Sequence, residues 1–210
     1  MGADAVARPH RDARRRLLAA AAAVAAAAVP SLRAAAADAP GAAATLLPEG
    51  LLAPLRAGGC VLLLRHAQTE PGIGDPPGWR LGDCGSQRNL SAEGRAQAAR
   101  LGDALRRAGI EVQTVRSSRW CRCTDTATLA FGRVEPWPVL DSFFGGRDTE
   151  PAQTAALRAW VGAFRGPGNA ALVTHQVNMT ALTGEGVSMG EVLVLRATPS
   201  GFALVGRFVS

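Results

Sequence analysis

The stretch "VLLLRHAQT" at residues 61–69 decides how the rest of the chain is read. Four branched aliphatic residues in a row, the first of them β-branched, suit a strand buried on both faces of a parallel or mixed sheet. Arg65 and His66 then stand at its carboxyl end. In open α/β sheets ligands bind at that end, so a guanidinium and an imidazole placed there point to chemistry. The plainer alternative is a rim arginine beside a hydrogen-bonded histidine, and the rest of the chain weighs against it.

A second apolar run, "NAALVTH" at 169–175, also finishes in a histidine, His175. Two parallel strands that both end in His present two imidazoles at one sheet edge, where one can act as nucleophile and the other as donor or acid. A third stretch, "VRSSRWCRCTDTA" at 115–127, reads as another strand end turning into a helix, with Ser117 and Ser118 at the turn and Arg122 one turn in. Arginine is the planar cation that grips phosphate through two nitrogens. Arg65, Arg122 and His175 around His66 therefore suit a phosphoryl group, whose equatorial oxygens they neutralise while His66 attacks in line.

Outward from these ends, the pattern alternates strands with helices. Leu90, Ala98, Leu101 and Leu105 follow helical spacing, with Ser91 as N-cap and Gly109 as stop. Further helices are expected within 119–132 and 150–164, an extended segment at "PWPVLDSFF", and two strands around the Pro-Ser-Gly turn near the carboxyl end. The class is α/β with a mostly parallel sheet. The Gly-, Pro- and Asp-rich stretch at 70–89 must be a loop, and a long loop at a strand's carboxyl end is commonly functional.

The amino terminus is different in kind. Arg8, Arg11 and Arg14 to Arg16 precede an Ala-rich apolar run up to Val29, and small residues stand before Asp38. This predicts a signal peptide over residues 1–37, similar to the twin-arginine type through Arg14 and Arg15, with cleavage after Ala37. An uncleaved anchor is the alternative. Residues 38–58 read as a linker, and 59–210 as the domain. The expected location is periplasmic or secreted, with no stable membrane association after cleavage. Of the formal net charge of +6, the leader's six Arg and two Asp account for +4, so the remainder gives no basis for nucleic-acid binding.

There are four cysteines, and export makes a disulfide reasonable. Cys60 lies on the proposed buried strand. Three pairings of the four are formally open, and Cys84 to Cys121 is the first expectation. A zinc site is disfavoured, because Cys121-x-Cys123 with one loop cysteine lacks paired CxxC spacing.

Together these stretches resemble the histidine phosphatase superfamily, which includes the phosphoglycerate mutase-like phosphatases. "LLRHAQT" resembles its Arg-His-Gly signature with Ala67 in place of Gly, and "NLSAEGRAQAARLG" its following helix. "SSRWCRCTDTA" is similar to its Ser-Ser-x-x-x-Arg element, and "VTHQVNMTALTG" to the element of the second histidine. The resemblance covers roughly residues 59–197. It implies a three-layer α/β/α, phosphoglycerate mutase-like fold in which His66 becomes phosphorylated and water later hydrolyses the phosphohistidine. It further implies that Arg65, Arg122 (not Arg119) and His175 hold the phosphate, with no metal and no cofactor.

Two departures bear on the proton donor. Gln68 stands where many members carry Glu, and Gln176 follows His175 where another branch has Asp. Asp141 is then the first candidate acid, with a turn or cap role as its alternative, and Asp125 the lesser one. Thr69 and Asn178 are candidate further contacts to phosphate or substrate. The expected function is an exported phosphomonoesterase acting on a small-molecule or envelope phosphoester, selected by the 70–89 loop with Trp79 and Arg80. A catalytically weak phospho-ligand binding or regulatory module is the competing reading, and a mutase a third.

Overall fold

The computed structural model describes residues 47–210. The expected signal peptide and the first part of the linker lie outside the described residues. Element order is α1 (Glu49–Ala57), β1 (Cys60–Arg65), α2 (Ala92–Arg107), β2 (Val112–Ser117), α3 (Cys121–Phe131), β3 (Glu135–Pro136), α4 (Glu150–Ala163), β4 (Asn169–Thr174), α5 (Gln176–Thr183), β5 (Glu191–Thr198) and β6 (Gly201–Val209).

The opening run is β1, and its side chains alternate between two cores, which is why no polar residue interrupts it. Cys60, Leu62 and Leu64 enter a core shared with Leu101 and Leu105 of α2 and with Cys123 and Ala127 of α3. Val61 and Leu63 enter the other, with Leu157 and Val161 of α4 and Met179 and Leu182 of α5. Helices thus cover both faces of one six-stranded sheet, giving a three-layer α/β/α architecture. The spatial strand order is β3-β2-β4-β1-β5-β6. The first four in that order run parallel, whereas β5 joins β1 antiparallel and β6 completes a hairpin with β5.

Register places the site. Arg65 pairs with Thr174, so His66 and His175, each one residue further on, leave neighbouring parallel strands at the same edge. On the other side of β4, Ser117 pairs with Val173 and brings the turn into α3 to the same place.

Two segments differ from the sequence reading. Residues read as the end of a linker form α1, which buries Leu51 and Leu55 in the first core. Its nine residues and internal Pro54 mask the helical spacing. The segment "PWPVLDSFF" is not continuously extended: only Glu135–Pro136 pairs as a strand, and Pro138–Leu140 makes a 3₁₀ turn before Asp141.

The chain after β1 is clamped to α2. The Ser91 side chain caps that helix by accepting from the Gly94 amide. Gly94 has no side chain because a Cβ there would fall 1.8 Å from the Gln68 carbonyl oxygen. The Gln68 amide donates to Gln97 Oε1 (3.0 Å), and the Ala67 amide to Thr126 Oγ1 on α3 (3.0 Å). His66 therefore stands on a loop whose backbone is held from two helices.

Candidate active site

A cavity of about 890 Å3 opens at the carboxyl edge of the parallel strands, and Arg65, His66, Arg122 and His175 all line it. Strand register brings the two imidazoles to a ring separation of 5.5 Å. His66 is 3% exposed, and its Nδ1 lies 2.9 Å from the Ala67 carbonyl oxygen. A carbonyl only accepts, so Nδ1 carries the proton and Nε2 keeps its lone pair. Burial pushes the ring down to about 3; the bond to Ala67 opposes this, and the charges of Arg122, Arg65 and Arg88 add to it. His66 is accordingly a neutral imidazole at neutral pH.

His175 sits at the N-cap of α5 with Nε2 2.8 Å from Ser118 Oγ. Burial, then the neighbouring His66 and the three arginines, hold it well below the ordinary histidine range. The edge of Trp120 packs against it at a ring separation of 5.4 Å.

Arg122 is buried in the first turn of α3 and meets a partner that no sequence motif points to, Asp75 from the 70–89 loop. Its two terminal nitrogens donate to Asp75 Oδ1 and Oδ2 at 2.7 and 3.2 Å. Asp75 also accepts from Trp120 Nε1 and from the Arg88 amide, both at 3.0 Å. Burial alone would raise this carboxyl, but the bonds to Arg122 and Arg88 and the charge of Arg122 outweigh it and hold it below the usual range. Arg88, likewise not anticipated, lines the cavity and anchors to the Gly72 carbonyl at 2.7 Å. Arg65 donates to the Val187 carbonyl at 2.8 Å.

These residues give the cavity a definite electrostatic character. Its charged lining consists of Arg65, Arg88, Arg122 and Asp75, a net of two positive charges beside two neutral imidazoles. Each of the three arginines leaves Nε buried and without a partner among the described residues. Buried N–H groups are rarely left so, and three guanidiniums around one cavity suit an anionic guest.

Cys84 and Cys121 are joined, with Cα atoms 5.6 Å apart, as expected. The bridge ties the 70–89 loop, which carries Asp75 and Arg88, to the first residue of α3. Cys60 and Cys123 are buried thiols, and burial pushes Cys123 up to about 12.

Other expected residues stand elsewhere. Asp141, the first candidate acid, does not line the cavity: one oxygen accepts from Ser118 Oγ (3.2 Å) and the Arg119 amide (2.8 Å), and the other pairs with the Arg119 guanidinium (2.6 Å). Its oxygens face donors of its own chain, so it acts on the site through Ser118, which touches His175. Thr69 donates to Met189 Sδ at 3.5 Å, and Asn178 donates to the Asp141 carbonyl at 2.8 Å; neither lines the cavity. Asp125 pairs with Arg95 on the outer side of α3. Gln68 is exposed and off the cavity.

The profile of the histidine phosphatase superfamily (branch 1) matches residues 61–147, which include Arg65, His66 and Arg122. No curated protein matches the chain. Among solved structures, the SixA protein of Agrobacterium tumefaciens is similar at 22% identity and a TM-score of 0.50, over 72% of this chain and 98% of that one. The alpha-ribazole phosphatase of Shigella flexneri is similar at 15% identity and a TM-score of 0.54, over 72% and 96%. A protein histidine phosphatase SixA in complex with tungstate is similar at 14% identity and a TM-score of 0.51, over 71% and 96%. At these identities the structural likeness concerns the fold. The profile match is to residues 61–147, and over them the chain is similar to the histidine phosphatase superfamily (branch 1), with the solved structures sharing its fold.

Proposed function

We propose that this protein is an exported phosphatase that hydrolyses phosphomonoesters through a phosphohistidine at His66. The observation that carries the reading is His66, its Nδ1 held 2.9 Å from the Ala67 carbonyl, lining one cavity with Arg65, Arg88, Arg122 and His175. Nε2 attacks phosphorus, the P–O bond to the leaving group breaks, and the electron pair departs on that oxygen, which takes up a proton. Water then attacks the phosphohistidine, the P–N bond breaks, and inorganic phosphate and neutral His66 result. Arg65, Arg88 and Arg122 offset the charge on the transferring group, and His175, oriented by Ser118, faces the same oxygens.

Export is supported by the Arg-rich leader with its apolar run, and by the Cys84–Cys121 bridge, since disulfides persist in oxidising compartments. The substrate is then a small-molecule or envelope phosphoester met outside the cytoplasm. Amino-terminal sequencing of the exported product should read from near Asp38, and an intact Met1 on a membrane-bound product would refute cleavage.

The competing reading, a phospho-ligand binding module, has one observation in its favour. Asp141 is turned to Arg119, and the cavity's carboxylate, Asp75, is bound to Arg122, so neither stands ready to deliver a proton. Quenching the purified protein during turnover of a phosphoester panel decides between them. The phosphatase reading expects acid-labile phosphate on His66, absent in His66→Ala. Binding of inorganic phosphate with no ester hydrolysed would leave the binding module.

A further inference from the structure

We infer that the phosphate ester this site takes is carried on an aliphatic chain, so that the substrate is a phosphorylated amphiphile. The inference rests on the phosphatase reading above and adds the chemistry of the leaving group.

The cavity has two parts of opposite character. All its charged side chains belong to the cluster around His66, where Arg122 and Asp75 are bonded to one another. The remainder of the lining is apolar or glycine, apart from Ser142 and Gln176, and belongs mainly to the 70–89 loop and the segment after Asp141. Ile73 is 92% exposed, Phe144 64% and Trp79 37%, and all three line the cavity together with Val177 and Met189. The two loops meet where the Phe144 ring comes within 3.7 Å of the position a Gly74 Cβ would take. An apolar rim joined to a concave polar site marks a ligand groove, and a volume near 890 Å3 is at the upper end of the roughly 300–1,000 Å3 such sites span.

The rim lacks what other leaving groups need. A sugar needs hydrogen-bond partners for each of its hydroxyls, and the side chains there offer few: Ser142, whose Oγ accepts from the Phe144 amide, Gln176 and the Trp79 indole N–H. A nucleotide or bisphosphate needs a second group of cations, and all the arginines lining the cavity stand by the histidines. A chain of methylenes asks for neither. It gains from leaving water beside Ile73, Trp79 and Phe144, at a rate worth roughly fourfold in affinity per methylene fully buried.

The test is kcat/KM of the purified full chain for alkyl phosphates from ethyl to decyl, kept below micelle formation, alongside glucose 6-phosphate. The expected result is a rise of about three- to fourfold per methylene over several carbons, with decyl phosphate well above the sugar phosphate. Phe144→Ser and Ile73→Ser should each reduce the decyl-to-ethyl ratio by tenfold or more. Hexadecyl phosphate in phosphatidylcholine vesicles identifies the source: faster turnover there than for dispersed chains places the substrate in a bilayer, and the reverse places it in solution. Ester hydrolysis without chain-length dependence, or with the sugar phosphate preferred, overturns the inference and leaves the phosphatase standing. No hydrolysis of any ester, with inorganic phosphate still bound, instead removes the phosphatase reading itself.

Discussion

The floor of the cavity and its mouth hold their side chains by different means. At the floor, His66 and His175 each follow the last residue of a buried parallel strand, and Arg122 sits in the first turn of a helix. Their positions follow from sheet register and from backbone bonds to neighbouring elements. At the mouth, Ile73, Trp79 and Phe144 stand on glycine-rich loops with much of their surface in water, and the Cys84–Cys121 bridge ties one loop to the floor. Groups that must be placed to a fraction of an ångström are on the rigid framework, and groups that select a guest are on loops that can differ between relatives.

The largest effect expected is at the floor. His66→Ala should abolish turnover while calorimetry still detects inorganic phosphate, and full activity in this variant would break the division between a reacting floor and a selecting mouth. Arg122→Ala should follow, with a loss of about 2–4 kcal/mol in transition-state stabilisation, roughly 30- to 1,000-fold in kcat/KM. It should also lower stability, because Asp75 loses the partner that justifies its burial.

The bridge links the two regions and is the next point of attack. Cys84→Ser opens a loop closed across a separation of 37 residues, and urea unfolding should register a loss of roughly 3–4 kcal/mol. An unchanged midpoint would mean that the loop is held by packing alone. Asp141→Asn should cost less, about 1–3 kcal/mol, by disturbing the Ser118 contact to His175. That loss should be equal for esters with good and poor leaving groups. If it grows as the leaving group worsens, Asp141 is a proton donor after all.

The smallest expected effect is a signal that does not move. Because burial depresses both histidines, neither ring should titrate between pH 5 and 8 in an NMR experiment on the unliganded protein. The sign for stability follows: below the unfolded value of about 6.5 the unfolded chain binds more protons than the folded one. The two histidines should therefore make the fold progressively less stable as pH falls from about 6.5 toward about 3, the folded value for His66. A midpoint near 6.5 for either ring would show the floor to be wetter than its burial implies.

How much of this could be read from the sequence divides along the same line. Strand ends are legible because a doubly buried strand is an unbroken apolar run, and the residue after it is then placed to within a residue. That brought His66, His175 and Arg122 to one edge. Asp75 and Arg88 lie where Gly, Pro and Asp leave no periodicity, and nothing local says that the loop folds back over α3. Asp141 shows a different obscurity. Its carboxylate has no partner nearby in the sequence, but the one that occupies it, Arg119, is 22 residues away and becomes its neighbour only through the turn after β2. Helix α1 was hidden by its shortness and by Pro54.

The pair formed by Asp75 and Arg122 has a consequence for the tempo of turnover. The guanidinium is 5% exposed and its carboxylate partner 8%, so neither waits in water for a guest. An arriving phosphate must share or replace contacts that a carboxylate already makes, and its net gain at Arg122 is only the difference between two anions. Exchange of that kind tempers affinity for substrate and for inorganic phosphate alike. It also spares the empty site an isolated buried cation, so the departing product leaves behind a neutralised arginine instead of a bare one.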